Sequence, residues 1–414
     1  MTKAVILLAG RGERLQPLTN TRPKGLLPVG NIPLIDHIIE AVSPYVDEYV
    51  FVVHHLEEMI RQHMQTRHPA LSVTYRRQNE MNGTGDALMS AGRIDESFIC
   101  INGDIFIERD CIDALLSAHM DSNRSVVTVK AMENDGSFGS VIVEGGTFKG
   151  IREKEQSPSA LVNIGVYLFT PEIFDALSRI SPSPRGEYEL TDAISLIGER
   201  VAVSRYGGYW NDIGYPWSLL DANEHVVTKQ ERAIMGTIEN GATCIGDVVV
   251  GEGSIVRSGA YIIGPVCIGD HCDIGPNCYV RPFTTIGDHC HVGNASEVKN
   301  SVLFSHTNVA HLSYVGDSII GASCNLGAGT LVANLRHRKD AIKMEIKGKL
   351  VSSGRRKLGV VMGDETKTGI NVSIYEGRKI GDHCGIGPGV IVDKNVEPYT
   401  FVVTKQETVM FRRE

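Results

Sequence analysis

Ile268-Gly269-Asp270-His271-Cys272-Asp273-Ile274-Gly275-Pro276-Asn277-Cys278-Tyr279-Val280 sets an aliphatic residue at every sixth position, and that interval decides the fold of half the chain. A strand buries alternate residues and a helix every third or fourth, so neither produces a period of six. The series extends back through Ile262, Val256, Val250 and Cys244 to Ile238, and forward through Ile286, Val292 and Val298. After an irregular stretch it resumes at Ile320, Leu326 and Val332, and again at Met362, Thr368, Ile374, Ile380, Ile386 and Val392. Such a repeat predicts a parallel β-helix. Each repeat forms one short side of a triangular coil with its aliphatic residue inward. Gly, which often follows, is expected to turn the corner in a left-handed conformation. Cys272, Cys278, Cys290, Cys324 and Cys384 each fall four residues after a ladder position, where a small inward side chain is needed.

The rest of the chain has a different texture. Short β-branched runs at Ala4–Leu8, Tyr49–Val53, Ser72–Tyr75, Phe98–Ile101 and Ser125–Val129 alternate with helical patterns, which predicts a mostly parallel sheet wrapped by helices. Ligands of such sheets bind beyond the carboxyl ends of the strands. A helix over Pro216–Arg232 closes this part. The expected organisation is an α/β domain over residues 1–225, a linker over 226–236, the β-helix over 237–400 and a tail over 401–414.

Composition narrows the function. With 414 residues, 42% hydrophobic and 22% charged, the chain has the make-up of a globular protein. A net charge of −8 argues against nucleic-acid binding, which relies on excess Lys and Arg. No apolar run approaches the roughly 20 residues that span a bilayer, and the opening strand lacks a signal-peptide pattern. A cytoplasmic protein without membrane contact is therefore expected. Nine cysteines without a CxxC pair suggest neither a zinc site nor a disulfide framework.

The first strand runs into LAGRGERLQPLTNTRPKGLLPV, Leu8 to Val29. Glycines after a strand let backbone N–H groups approach phosphate oxygens, and Arg14 and Lys24 add positive charge suited to a triphosphate. Further along stand Gln78, Gly83-Thr84-Gly85-Asp86-Ala87, Asn102-Gly103-Asp104, Phe138-Gly139, Glu153-Lys154, Asn163-Ile164-Gly165 and Trp210-Asn211-Asp212. In this order and spacing the segment resembles the sugar-1-phosphate nucleotidylyltransferases, with their LAAGxGTRLxPLT…PKxLLPV signature. The resemblance implies a Rossmann-like nucleotidyltransferase domain that couples UTP or dTTP to a sugar 1-phosphate and releases pyrophosphate. It implies that Leu8, Ala9, Gly10, Gln78, Gly83 and Thr84 hold the nucleoside, and that Gly139, Glu153, Lys154 and Asn163 line the sugar-phosphate site. Asp104 and Asp212 are implied as Mg²⁺ ligands, with Arg14 and Lys24 as catalytic cations. Glu13, Gly25 and Asp86 depart from the family's usual residues.

A hexapeptide β-helix does not by itself prove an activity, so its polar residues must decide. Asn308 to Asp317 reads NVAHLSYVGD, followed by Asn325-Leu326-Gly327-Ala328-Gly329-Thr330 and Asn334. This resembles the acetyltransferase half of bifunctional enzymes that make UDP-N-acetylglucosamine, more closely still the archaeal fusions, and implies a left-handed β-helix. By that resemblance His311 is the general base for transfer from acetyl-CoA to glucosamine or galactosamine 1-phosphate, a role an imidazole can fill at neutral pH. Arg281 and Lys299 would hold the sugar phosphate, Tyr314, Asn325 and Asn334 would orient the substrate, and Ala328 would approach acetyl-CoA. Asp364 stands where a small residue is usual. A basic stretch from Arg336 through Lys339, Lys343, Lys347 and Lys349 to Lys357 is either a solvated excursion or a phosphate cradle. A homotrimer or a dimer of trimers is implied. Two rival readings remain: nucleotidyl transfer alone with a structural β-helix, as in GDP-mannose or ADP-glucose pyrophosphorylase-like proteins, or a non-catalytic regulatory subunit.

Overall fold

The first strand, β1 (Lys3–Leu7), buries Ala4 and Ile6 in one hydrophobic layer and Val5 in another, as a strand covered on both faces must. In the computed structural model, which describes residues 3–153, 155–338 and 340–412, β1 lies inside a nine-stranded sheet. It runs parallel to β2 (Glu48–Val53), itself parallel to β3 (Ser72–Arg77), and on its other side to β4 (Phe98–Asn102). One layer is filled by Ile35, Ile38 and Ile39 of α1 (Leu34–Val42), Ile60 and Met64 of α2 (Glu57–Arg67) and Ile112 of α4 (Arg109–Ser122). The other receives Leu88 of α3 (Thr84–Ser90), Ile173 of α5 (Glu172–Leu177) and Ile194 of α6 (Leu190–Ile197).

Beyond β4 the sheet departs from the mostly parallel order expected. β5 (Ser125–Asp135), the hairpin of β6 (Ser140–Glu144) with β7 (Thr147–Arg152), and the long β8 (Gln156–Phe169) pair antiparallel, β8 lying between β4 and β5. β9 (Val201–Arg205) then adds in parallel to β5. The β6–β7 turn is a direct reversal, whereas β5 and β6 both run antiparallel to β8, which inserts between β4 and β5 and so breaks the parallel order.

Contacts divide the chain into two compact units that interleave in sequence. The first comprises the chain to Gly12, Arg22–Leu27 and Ile32–Ile213; the second comprises Glu13–Thr21, Pro28–Asn31 and everything from Gly214. α7 (Pro216–Lys229) opens with Pro at its first position, where the missing N–H costs nothing. Its buried Asn223 accepts from the Gly30 N–H at 2.9 Å and donates to the Phe283 carbonyl at 3.1 Å, which ties α7 to the coils of the second unit.

Those coils form three parallel sheets of eight, nine and eight short strands, the architecture of a left-handed parallel β-helix. Ladder residues stack in register, Ile238 on Val256, then Ile274, Val292, Val309 and Leu326. The core is this set of aliphatic columns, joined by Cys272, Cys278, Cys290, Cys324 and Cys384 as the repeat predicts. The ladder also passes without interruption through the stretch read as irregular, where Leu303, Val309 and Val315 are fully buried. The period is hidden there because the steps Val298 to Leu303 and Val315 to Ile320 are each one residue short.

Gly275, just after Ile274, has φ +112° as expected, but most corner glycines need a different explanation. Gly251, Gly269, Gly327 and Gly363, each just after a ladder residue, do not have positive φ; a Cβ on Gly269 would meet Asp288 Oδ1 at 2.3 Å and one on Gly327 the Gly369 carbonyl at 2.4 Å. They are glycine because the next coil passes too close for a side chain. The left-handed residues stand two positions later and are often not glycine, as at His271, Asn277, His289, Ala295 and His306.

After Val332 the coil is interrupted by an excursion with a hairpin of Lys343–Ile346 against Lys349–Ser352, and it resumes with Met362 paired beside Ile320. Three basic residues of the excursion are ion-paired, Arg336 with Glu376, Lys347 with Glu13 and Arg355 with Asp221. Lys339 lies outside the described residues. Among these, no helix is long and apolar enough to cross a membrane.

Candidate active sites

At the carboxyl ends of β1 and β4 the chain leaves the sheet through Leu8-Ala9-Gly10 and Gly103-Asp104, opening a cavity of about 250 Å³. All six residues expected at the nucleoside line it: Leu8, Ala9, Gly10, Gln78, Gly83 and Thr84. Gly83 has φ +104°, and a Cβ there would lie 2.6 Å from the Tyr188 carbonyl, so no other residue fits this turn. The Gln78 amide donates to Asp86 at 2.7 Å and to the Gly83 carbonyl at 3.1 Å. The departure at Asp86 thus has a structural role, holding the glutamine at the cavity wall.

A second cavity, of about 180 Å³, is lined by Gly139, Glu153 and Asn163 together with Thr191, Trp210 and Asp212. A Cβ on Gly139 would fall 2.8 Å from Glu153 Oε1, so glycine lets the carboxylate lie against the backbone. Asn163 donates to the Tyr167 hydroxyl at 2.8 Å, and burial pushes that hydroxyl well above the ordinary phenol range. Lys154 lies outside the described residues.

Asp104, Asn102 and Thr84 line both cavities. Asp212 reaches the same point from the far end of the unit: Asn211–Asp212 pairs antiparallel with Ile105–Phe106, and the Ile213 N–H donates to the Asp104 carbonyl at 2.9 Å. Between the two carboxylates sits the buried Lys24, with Nζ 2.7 Å from Asp104 Oδ2 and 4.0 Å from Asp212 Oδ1. Two acidic oxygens facing one cation form a donor set that also suits a hard divalent ion, which takes few protein oxygens and completes its shell with water and phosphate. Arg14 belongs to the second unit, its guanidinium 4.8 Å from the Tyr215 ring centroid.

Asn102 was missed as a site residue. Its Oδ1 is buried without a hydrogen-bond partner, a costly state at a wall common to both cavities. In the linear order nothing distinguishes an asparagine inside an Asn-Gly-Asp segment from an ordinary turn residue.

A model of the nucleotidyl transferase family matches residues 3–229. The chain belongs to that family. A second model, described as the GMPPB C-terminal domain, matches residues 262–376. Over its whole length this nucleotidyl transferase is similar to the bifunctional protein GlmU of Methanocaldococcus jannaschii, 42% identical across 99% of each chain. It is also similar to a bifunctional sugar-1-phosphate nucleotidylyltransferase/acetyltransferase of Sulfurisphaera tokodaii, 39% identical over 95% of this chain and 98% of that one. A crystal structure of UDP-glucose pyrophosphorylase complexed with UDP-glucose superposes on 56% of the chain and 100% of its own, with a TM-score of 0.51 and 24% identity, which is a likeness of fold.

On the β-helix of this nucleotidyl transferase, Tyr279, Glu297, Tyr314 and Leu331 occupy one register column. Arg281, Lys299, Tyr314 and Asn334 gather beside it. Arg281 Nη1 pairs with Glu297 at 2.9 Å, and Asn334 donates to the Tyr314 hydroxyl at 3.0 Å. Their hub is Asp317, to which no role was given from sequence. Its buried carboxylate accepts from Lys299 Nζ at 2.9 Å, Asn300 at 2.8 Å and Asn334 at 2.5 Å. Burial also raises the Tyr314 hydroxyl above its ordinary range, so it stays protonated. His311 is exposed at a corner, where its carbonyl accepts from Gly329 N at 3.2 Å; Ala328 occupies the matching corner of the next coil. Asn325 stands apart, in the register column of His291 and Asn308 on another sheet. Asp364 is buried and accepts from the Ala322 N–H at 2.8 Å and from Thr21 at 2.7 Å, so it clamps neighbouring segments.

Proposed function

We propose that this enzyme transfers a nucleoside monophosphate from UTP or dTTP to a sugar 1-phosphate, releasing pyrophosphate, and that its β-helix acetylates an amino-sugar 1-phosphate from acetyl-CoA. The observation that carries the first activity is the meeting of two cavities at Asp104, with Asp212 and Lys24 converging there. Leu8, Ala9, Gly10, Gln78, Gly83 and Thr84 hold the nucleoside; Gly139, Glu153 and Asn163 hold the sugar phosphate, with Glu153 accepting from sugar hydroxyls. An oxygen of the sugar phosphate attacks the α-phosphorus while the bond to the bridging oxygen of pyrophosphate breaks. Lys24 and Arg14 offset the charge that accumulates on the leaving group. Asp104 and Asp212 would hold Mg²⁺, which when bound neutralises phosphate oxygens. No covalent nucleophile is required.

In the second activity His311 takes a proton from the sugar amine as that nitrogen attacks the thioester carbonyl, and the CoA thiolate leaves. Arg281 and Lys299 bind the sugar phosphate, Tyr314, Asn325 and Asn334 orient the sugar, and Ala328 lies against acetyl-CoA. We also read the assembly as a homotrimer, because exposed Ile245, Tyr261, Leu331 and Ile391 all belong to strands of one β-helix face. We read the location as cytoplasmic, since all nine cysteines are free thiols, as a reducing compartment keeps them.

The deciding experiment is a panel of hexose and hexosamine 1-phosphates crossed with each nucleoside triphosphate, run with and without acetyl-CoA. Pyrophosphate release with UTP or dTTP, together with acetyl-CoA turnover on an amino-sugar 1-phosphate, is expected. No acetyl-CoA turnover on any amino sugar refutes the second activity, and full pyrophosphate release by Asp104→Ala refutes the site assigned to the first.

A further inference from the structure

Outside both cavities, Asp36, His63 and His68 bring three potential metal-ligating atoms to within 4.8 Å of one another. Asp36 stands in the first turn of α1, His63 near the end of α2 and His68 just beyond it. Two residues five apart on an unbroken helix point roughly 140° away from each other, at about 100° per residue. Here the helix ends first. His68 has φ −131° and ψ 48°, which swings its ring back until both imidazoles address the same carboxylate oxygen. His63 Nε2 lies 2.7 Å and His68 Nε2 2.9 Å from Asp36 Oδ1.

We propose that Asp36, His63 and His68 form a site for a divalent transition-metal ion of the zinc class, with water as the fourth ligand. Two imidazoles and one carboxylate are a donor set that such ions favour. The side chains are only 13%, 10% and 24% exposed for His63, Asp36 and His68, so the site is shielded yet open on the His68 side, where water can enter. Bonds of about 2.0–2.1 Å in tetrahedral geometry set ligand atoms roughly 3.4 Å apart. The hydrogen-bonded arrangement therefore needs each Asp–His separation to widen by only about half an ångström. On binding, each neutral ring offers its Nε2 lone pair and carries its proton on Nδ1. The ion ties the start of α1 to the end of α2 on one side of the parallel sheet, remote in function from either transfer reaction.

The test uses the full-length protein, stripped with a chelator and titrated with Zn²⁺ against a chromophoric competitor. Wild type is compared with Asp36→Asn, His63→Ala and His68→Gln. Wild type should bind one more tight equivalent than each variant. Affinity at that site should fall by at least about 100-fold, since losing a ligand costs more than the roughly 10–100-fold of losing a partner that orients one. Co²⁺-loaded wild type should show tetrahedral d–d absorption that the variants lack, and Zn²⁺ should raise Tm in wild type alone. His68→Gln keeps a side-chain donor for Asp36, so it removes the ligand while preserving the hydrogen-bonded contact and the fold. Equal Zn²⁺ stoichiometry and affinity in wild type and His68→Gln, or no tight equivalent in wild type, would overturn the proposal and leave a hydrogen-bonded staple between the helices.

Discussion

Removing the ammonium of Lys24 tests the proposed nucleotidyl-transfer site at its centre. The side chain is 11% exposed and bonds Asp104 at 2.7 Å, with Asp212 4.0 Å away; those carboxylate side chains are 37% and 15% exposed. A charge-assisted hydrogen bond contributes about 1.5–3 kcal/mol. Because Asp104 is more than a third exposed, water recovers part of that, and Lys24→Ala should cost the ligand-free protein about 1–2 kcal/mol. The catalytic loss should be larger, since removing one preorganised donor from a developing charge lowers kcat by roughly 10²–10³-fold, about 3–4 kcal/mol. A further effect has the opposite sign. An ammonium at 4 Å repels each unit of charge by about 1 kcal/mol even in water, so for a divalent ion its removal should tighten Mg²⁺ binding to the ligand-free protein by roughly 30-fold, about 2 kcal/mol. Pyrophosphate release at saturating substrates, denaturant unfolding and Mg²⁺ titration read the three quantities separately. Wild-type kcat in Lys24→Ala would refute the assignment of this lysine to the leaving phosphates.

Four other outcomes follow from the geometry. His311→Ala should lower acetyl transfer by roughly 10²–10⁴-fold and leave pyrophosphate release within about twofold; equal loss of both activities would count against separate sites. Ile274, fully buried between Val256 and Val292 in its column, should cost about 2–5 kcal/mol when cut to Ala, read as a shift in the denaturant midpoint. Gly83→Ala, strained at φ +104° against the Tyr188 carbonyl, should raise KM for the nucleoside triphosphate more than KM for the sugar phosphate, and equal rises would place Gly83 elsewhere. Burial pushes the Cys272 thiol up to about 11 and those of Cys111, Cys267 and Cys278 up to about 12. A raised pKa depletes the thiolate by tenfold per unit below it, so at pH 8 these thiols should resist a disulfide reagent unless the protein is unfolded, and rapid native labelling would contradict the burial.

Much of this architecture was legible because one side-chain class repeated at one interval. Ile262, Ile268, Ile274 and Val280 are inward residues in sequence and in structure alike. The first unit is readable where strands and helices alternate, at β1 to β4, and not where β8 inserts antiparallel between β4 and β5, since a β-branched run looks the same in either direction. Candidate site residues that a motif names together, such as Gln78 and Gly83, line one cavity. The partner of a buried charge was not legible. Nothing in the linear order says that Asp317 collects Lys299, Asn300 and Asn334, or that Asp86 holds Gln78, because those pairings are made by coil stacking and by a turn.

The places where the six-residue period fails carry their own information. Three successive coils depart from it after the same ladder column: the step from Val298 is one residue short, the step from Val315 is one residue short, and the step from Val332 opens into the long excursion. Those corners supply Lys299 and Asn300, Asp317, and Asn334, and the buried Asp317 carboxylate binds the other three together. A regular corner keeps its backbone close to the coil above, as the crowded glycines at Gly269 and Gly327 require. Shortening the corner twice and then opening it alters that spacing, and the aspartate buried there has three donors around it, a state that burial penalises unless each donor is present. The break in the repeat here coincides with Lys299 and Asn334, proposed to bind the sugar phosphate and to orient the sugar, whereas Arg281 follows Val280 at a regular corner.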